Sequence, residues 1–240
     1  FLRFTDKAAN PVNMMGASKR IMELFLLRES DKGVKISMAR FANVAFSDGS
    51  LLHGFNQRFL NKQPLTAPSD IERYFVTEQE AGQLCLLSCV LGKNKQIFFP
   101  NSPLTLHLTN FTSIAKRYLK VKGFKPFITQ SEEEARTQIS DKIQNGLWPC
   151  YFFKSNTTGE KSYEEFFTEK EAVDLSKFKT VGIINYKNNY NTDSLNKFEV
   201  NILDKLKKKL WDKKAIVSEF EDLLEDFKHI EKNKNLDDRM

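Results

Sequence analysis

Closely spaced glycines are missing from this 240-residue chain. Its ten glycines stand at 16, 33, 49, 54, 82, 92, 123, 146, 159 and 182, and no two are two or three positions apart. A dinucleotide-binding fingerprint needs such spacing so that backbone can approach a pyrophosphate. That loop is therefore not in this chain. Cysteine is also scarce: three residues exclude a disulfide framework and suggest a reducing cytoplasm. Cys85 and Cys89 lie four apart among Leu84, Leu86, Leu87 and Val90, with no further ligands spaced to complete a metal site, and read as buried core thiols. His53, His107 and His229 are far apart and lack partners at ligand spacing, so no metal is expected. No apolar run reaches the length of a membrane span. There is no initiator Met, no secretory signal pattern and no internal repeat. The opening Phe1-Leu2-Arg3-Phe4 reads as the end of a strand, which predicts an upstream segment.

What is present describes a folded, soluble domain. Hydrophobic residues make up 40% and charged residues 28%, and 21 phenylalanines favour an aromatic core over disorder. Much of the net charge of +6 sits in Lys205, Lys207, Lys208, Lys209, Lys213 and Lys214. The acidic stretch from Glu219 to Asp226 follows at once, so a solvated or partner-binding pair of helices is expected rather than a nucleic-acid surface.

Periodicity predicts a helix from Asn13 to about Ser30, ended by Gly33, then an alternating strand from Val34 to Phe41. Helices are expected over Ser50–Asn61, over Thr77–Leu91 with a capping box at Thr77 and Glu80, over Asn110–Lys122 and over Glu132–Gln144. Strands are expected at Gln96–Phe99 and Trp148–Phe153. Tyr186 to Asp193 reads as a linker, followed by helices over Phe198–Leu210 and Lys213–Phe227. This alternation is the rhythm of an α/β parallel sheet. The expected division is 1–185 for the sheet and a substrate lobe, and 186–240 for a linker and helical extension.

The readable chemistry is at the front. Thr5, Asp6 and Lys7 set a hydroxyl, a carboxylate and an amine side by side where a strand should end. Lys19 lies on the following helix, four positions after Met15. An acid beside a base on a strand-turn-helix unit suggests proton transfer next to a cofactor. Alone, the triplet would be an ordinary solvated turn, and Arg73 an ordinary surface ion pair with Glu72 or Asp70.

Thr5-Asp6-Lys7-Ala8-x-x-Pro11 followed by Met15-Gly16-Ala17-Ser18-Lys19-Arg20 resembles the active-site segment of nucleotide-sugar 4,6-dehydratases of the extended short-chain dehydrogenase/reductase superfamily. Arg40-Phe41-Ala42-Asn43-Val44, Ser47-x-Gly49-Ser50, Pro64-Leu65-Thr66, Arg73-Tyr74-Phe75-Val76 and Glu80-Ala81 follow in that family's order. The likeness is specific to about Phe99 and looser beyond. There Phe153-Lys154-Ser155, Gly159-Glu160-Lys161 and Leu236-Asp237-x-x-Met240 resemble the branch that makes 4-keto-6-deoxy sugars for legionaminic-acid-type surface glycans.

The resemblance implies the carboxyl-terminal part of a Rossmann-type parallel sheet with a substrate-binding lobe and a helical tail. It implies NAD as cofactor, UDP-N-acetylglucosamine as substrate and a homo-oligomer at full length. Lys7 would be the base at carbon 5 of the sugar, Asp6 the acid for the departing hydroxyl, and Thr5 a hydrogen-bonding partner of the oxygen on carbon 4. Lys19, Phe41 and Ala42 would hold the cofactor, and Asn43, Ser50, Thr66 and Arg73 the substrate. A lysine that works as a base must shed its proton, which asks for a desolvated or positively charged setting.

Two positions depart from the pattern. Met15 stands where most of the superfamily has its catalytic Tyr, and a thioether carries no proton at neutral pH. Met there also occurs in one dehydratase subgroup, usually linked with retained configuration at carbon 5. Phe4 stands where the family shows a small Ser, which predicts a repacked strand end. The rival readings are a non-catalytic sugar-nucleotide-binding remnant, and a configuration-inverting dehydratase or 4-epimerase on the same scaffold. Lys7 argues against the epimerase, which needs no base at carbon 5.

Overall fold

The computed structural model describes residues 2–101, 106–156, 160–187, 190–209 and 211–231. The Phe4 side chain, Gly159, Leu210 and the closing motif of Leu236, Asp237 and Met240 lie outside the described residues.

In chain order, the strand β1 (Leu2–Thr5) enters a 3-10 turn (Asp6–Ala8), and helix α1 (Met14–Asp31) follows. Then come β2 (Ser37–Phe41), β3 (Asn43–Val44), α2 (Leu51–Leu60), β4 (Leu65–Pro68), β5 (Glu72–Arg73) and β6 (Phe75–Val76). Next are α3 (Glu78–Leu91), β7 (Gln96–Pro100), β8 (Thr109–Asn110), α4 (Phe111–Val121) and β9 (Lys125–Thr129). The remainder is α5 (Glu132–Thr137), α6 (Ile139–Gln144), β10 (Leu147–Phe153), β11 (Val173–Asp174), β12 (Val181–Asn185), α7 (Thr192–Lys208) and α8 (Lys213–Leu223).

The chain divides into two compact units. The first comprises 1–42, 79–106 and 164–231. Its sheet has the order β1-β2-β7-β12-β11, with β1, β2 and β7 parallel and β12 antiparallel to β7. Helices link the parallel strands, as a Rossmann-type α/β sheet requires. Every residue of β2 and β7 is buried, which corrects the expected alternation in β2: strands covered on both faces need no polar side. Among the described residues the second unit comprises 43–78, 107–156 and 160–163. In it β4, β10 and β9 form a parallel sheet, and a core of Phe55, Leu65, Leu119 and Trp148 fills behind it. Phe59 stacks on Trp148 at 4.4 Å between ring centroids, so part of the phenylalanine excess is spent here.

Several boundaries follow from side-chain caps. Asn13 caps α1 by accepting from the Gly16 N–H, and Ser50 caps α2 by accepting from His53. Glu132 to Gln144 is two short helices, not one. Thr137 Oγ1 donates to the Glu134 carbonyl at 3.0 Å and Gln138 Nε2 to the Glu134 carboxylate at 3.3 Å, local bonds that compete with a continuous helix. Helix α7 begins six residues before the expected Phe198, because Asn191, in the run read as linker, accepts from the N–H groups of Asp193 and Ser194. Helix α8 stops at Leu223, and Phe227 is buried beyond its end. Cys89 is exposed and Cys85 half-buried, contrary to expectation, because Ala81, Leu84 and Ser88 are the buried residues of α3. Cys150 is buried, which pushes its thiol up to about 12.

An ion network ties α1 to the sheet in the first unit. The Arg40 guanidinium, fully buried at the end of β2, donates to both carboxylate oxygens of Glu23 at 2.8 and 2.7 Å and to both of Glu171 at 2.8 and 2.7 Å. Arg40 also reaches the Phe166 carbonyl at 2.8 Å, and Arg20 joins Glu23, Glu171 and the Tyr186 hydroxyl. Burial alone would raise the Glu171 carboxyl, but the hydrogen bonds and charge of Arg40, with the charge of Arg20, hold it below its ordinary value. Because the folded state favours the charged form, the stabilisation is present above the usual carboxylate range and is lost as pH falls through it. Acid denaturation followed by circular dichroism is expected to reflect this loss. Replacing Arg40 by Met strands two buried carboxylates and is expected to cost about 3–5 kcal/mol, read from urea unfolding at neutral pH.

Candidate active site

Thr5 ends β1, and its side chain caps the 3-10 turn by accepting from the Lys7 N–H at 3.4 Å. The same hydroxyl donates to Asp6 Oδ1 at 2.7 Å, and Lys7 Nζ lies 3.5 Å from that oxygen. The turn is not a solvated one: Asp6 is 1% exposed. Its second oxygen, Oδ2, is buried without a hydrogen-bond partner. A carboxylate oxygen seldom stays buried and unpaired unless another molecule is meant to meet it.

The sheet register sets what lies beside this turn. Thr5 pairs with Phe41 across the parallel β1–β2 ladder, so the turn and the buried Phe41-Ala42 step leave the sheet at neighbouring carboxyl ends. Ligands bind at such strand ends in open α/β sheets. Helix α1 starts close by, and Gly16 is the contact that permits it. A Cβ on Gly16 would stand 2.6 Å from the Lys7 carbonyl oxygen and 3.3 Å from Pro11. Met15 is half exposed, and Lys19, one turn on, is partly buried and makes no side-chain hydrogen bond or ion pair among the described residues.

The expected substrate residues belong to the second unit. The Asn43 N–H donates to the Tyr74 carbonyl at 3.0 Å and its side-chain amide to the same oxygen at 3.3 Å. Ser50 accepts from the His53 N–H at 3.1 Å, so its hydroxyl is the α2 cap. Thr66 is buried in β4, paired in register with Tyr151. Arg73 is buried as well, and neither Glu72 nor Asp70 is its carboxylate partner. Its guanidinium donates to the carbonyls of Glu72, Lys161 and Ser162 at 2.8, 3.0 and 3.3 Å and to Glu160 Oε1 at 3.3 Å. Glu160 in turn accepts from the Ser155 hydroxyl at 2.6 Å. The structure thus gathers Asn43 and Arg73 on either side of Tyr74. It also adds Glu160, whose pairing across 87 positions no local pattern could show.

A cavity of about 790 Å³ in the first unit is lined by residues including Ala8, Asn10 and Arg20, and by none of the expected site residues. Among the described residues no cluster of His, Cys, Asp or Glu could hold a metal ion, and no helix is long and apolar enough to cross a membrane.

An α/β sheet in which β1, β2 and β7 run parallel, with helices between them, defines the class: a Rossmann-type protein. The chain belongs to the family described as Polysaccharide biosynthesis protein, whose model matches residues 2–186. It is 29% identical over 186 residues to the Methanocaldococcus jannaschii protein named Uncharacterized membrane protein MJ1061, covering 75% of this chain and 50% of that protein. It is 31% identical over 170 residues to Capsular polysaccharide biosynthesis protein CapD of Staphylococcus aureus, covering 70% of this chain and 24% of that protein. The chain therefore spans half the length of one relative and about a quarter of the other. The X-ray structure of Pen from Bacillus thuringiensis shares the fold, with a TM-score of 0.58 at 20% identity, covering 85% of this chain and 62% of that one.

Gly16→Ala is expected to push α1 off the Lys7 carbonyl and to cost roughly 1–3 kcal/mol, as overpacking does. Ala at the neighbouring exposed position 15 should cost far less, and thermal unfolding of the two variants makes the comparison.

Proposed function

We propose that this chain carries the acid–base and substrate-binding parts of a nucleotide-sugar 4,6-dehydratase acting on UDP-N-acetylglucosamine. One observation carries the reading: the buried Asp6 carboxylate, joined through Oδ1 to Thr5 and Lys7, with Oδ2 left for another molecule. The family name and that of CapD support a place in polysaccharide assembly.

In this reading Thr5 hydrogen-bonds the oxygen on carbon 4 of the hexosamine. Oxidation at carbon 4 acidifies the proton on carbon 5, and Lys7 removes it. Asp6, in its protonated form, delivers a proton to the hydroxyl on carbon 6, which departs as water and leaves a carbon 5–carbon 6 double bond; carbon 5 regains a proton from Lys7 as hydride adds at carbon 6. NAD, when bound, supplies the hydride acceptor for the first of these changes and the donor for the last. The nicotinamide side of such a cofactor fits the residues present: Lys19 has no side-chain partner among the described residues, and Phe41 and Ala42 close the adjoining strand end. The pyrophosphate side is not provided for, since no glycine pair in the sequence has the required spacing. The chain alone is accordingly expected to bind NAD negligibly, and micromolar affinity in a titration would contradict this. Met15 supplies no proton acceptor, so the carbon 4 hydroxyl proton leaves through another group. Asn43, Ser50, Thr66 and Arg73 anchor the sugar nucleotide, with Arg73 nearest in chemistry to a pyrophosphate partner.

The test uses the full-length protein, which would supply the dinucleotide-binding loop, with NAD and UDP-N-acetylglucosamine. A 4-keto-6-deoxy sugar nucleotide is expected, read by NMR together with loss of the carbon 5 hydrogen to deuterated solvent. Lys7→Ala should lower product formation by about 10²–10⁴-fold, the usual contribution of a positioned base. Turnover of Lys7→Ala at the parent rate would remove Lys7 from the mechanism.

A further inference from the structure

Three helices of the second unit end where its three parallel strands begin. Helix α2 stops at Leu60 and leads into β4, α4 stops at Val121 and leads into β9, and α6 stops at Gln144 and leads into β10. Each link contains a left-handed residue: Lys62 at φ +51°, Gly123 at +84° and Gly146 at +70°. Long-range contacts hold the links together. The Lys125 N–H donates to the Gly146 carbonyl and the Trp148 indole to the Gln63 carbonyl, both at 3.0 Å, and the Phe59 and Phe124 rings meet at 5.8 Å. From this packed end project Leu60, 74% exposed, and Val121, 85% exposed, the two most exposed large hydrophobic residues among those described. Lys62, Lys120, Lys122 and Lys125 flank them in the chain, all exposed and none ion-paired among the described residues. Lys122 Nζ lies 5.5 Å from the Phe59 ring centroid, so the α4 link reaches the α2 link. No Asp or Glu occurs from His53 to Ser69, from His107 to Ser131 or from Lys142 to Tyr151, and Asp141 on α6 is paired with Lys142.

We propose that this end of the second unit is a docking surface for an anionic lipid bilayer. Leu60 and Val121 enter the boundary between headgroups and acyl chains, and the lysines around them meet lipid phosphates. Charge complementarity selects this occupant. A lysine near a helix end answers the helix dipole, but that accounts for neither the exposed aliphatic pair nor Lys116 and Arg117, exposed in the middle of α4 and also without an ion pair among the described residues. A nucleic acid would meet the cations and leave Leu60 and Val121 without an apolar partner. A bilayer offers phosphate and hydrocarbon within one lysine side chain of each other. The surface is separate from the candidate substrate residues. Ser50 caps the opposite end of α2, and Arg73, Ser155 and Glu160 follow the carboxyl ends of β4 and β10, whereas the docking surface lies at their amino ends.

The experiment sediments the chain with vesicles of phosphatidylcholine alone and of equal parts phosphatidylcholine and phosphatidylglycerol. Binding is expected to the mixed vesicles only, weakening as salt rises. Lys120→Gln with Lys122→Gln should weaken it about thirtyfold, at about fivefold for each lysine near an anionic surface. Leu60→Ser with Val121→Ser should weaken it by about tenfold, through lost apolar burial. All four side chains are exposed, so melting temperatures should stay at the parent value. Lys207→Gln with Lys214→Gln, in the other unit, removes the same charge and should bind like the parent. No binding to mixed vesicles, an equal loss in the Lys207 and Lys214 variant, or parent affinity in the Lys120 and Lys122 variant overturns the proposal. Parent affinity in the Leu60 and Val121 variant also overturns it, because adsorption is then a counterion effect alone. Duplex DNA bound through Lys120 and Lys122, without vesicle binding, gives the surface to nucleic acid and overturns the bilayer.

Discussion

The buried Arg40 guanidinium is the interaction on which the first unit's site depends. It sits where β2 ends, and its two carboxylate partners come from the middle of α1 and from the segment after Phe166. A charge removed from water is tolerable only when paired and hydrogen-bonded, so these three pieces of chain have one acceptable arrangement. That arrangement fixes α1 against the sheet, and with it Met15 and Lys19. It also sets the strand end from which Phe41 and Ala42 follow. A hydrophobic contact of the same area would permit sliding, whereas two bidentate pairs do not.

The same logic runs in reverse at Asp6. Nearly every buried polar atom of the first unit's ion network is satisfied, but Asp6 Oδ2 is not. Its neighbours are brought to it by close backbone packing, with the Gly16 position pressed against the Lys7 carbonyl. The site thus combines a tight, specified scaffold with one unfilled polar valence. Structural carboxylates rarely leave such an oxygen, whereas groups that exchange protons with a ligand need one.

In the second unit polar commitment goes the other way. Arg73 and Ser50 are already engaged within the fold, one holding the 160–162 segment and the other capping a helix. An arginine so held is fixed on folding, its planar fork committed to the 160–162 segment.

The sequence alone determined the order of elements around the site, because its signals are local. Asn13 and Ser50 as caps, the apolar spacing of α1, the α/β alternation and the Thr5-Asp6-Lys7 triplet at a strand end are all readable within a few residues. So is the missing glycine spacing, which no fold can restore. Local reading failed where side-chain bonds outweighed apolar spacing, at the break near Gln138 and the early start of α7, and where burial depended on what packs against an element, at the all-buried β2 and the exposed Cys89. What only the tertiary structure decided are the long-range pairings, Arg40 with Glu171 across 131 positions and Arg73 with Glu160 across 87. It also decided the burial of Asp6. Those properties belong to residues in relation to distant neighbours, and a buried charge acquires its partner, or keeps an oxygen unpaired, only when the chain is folded.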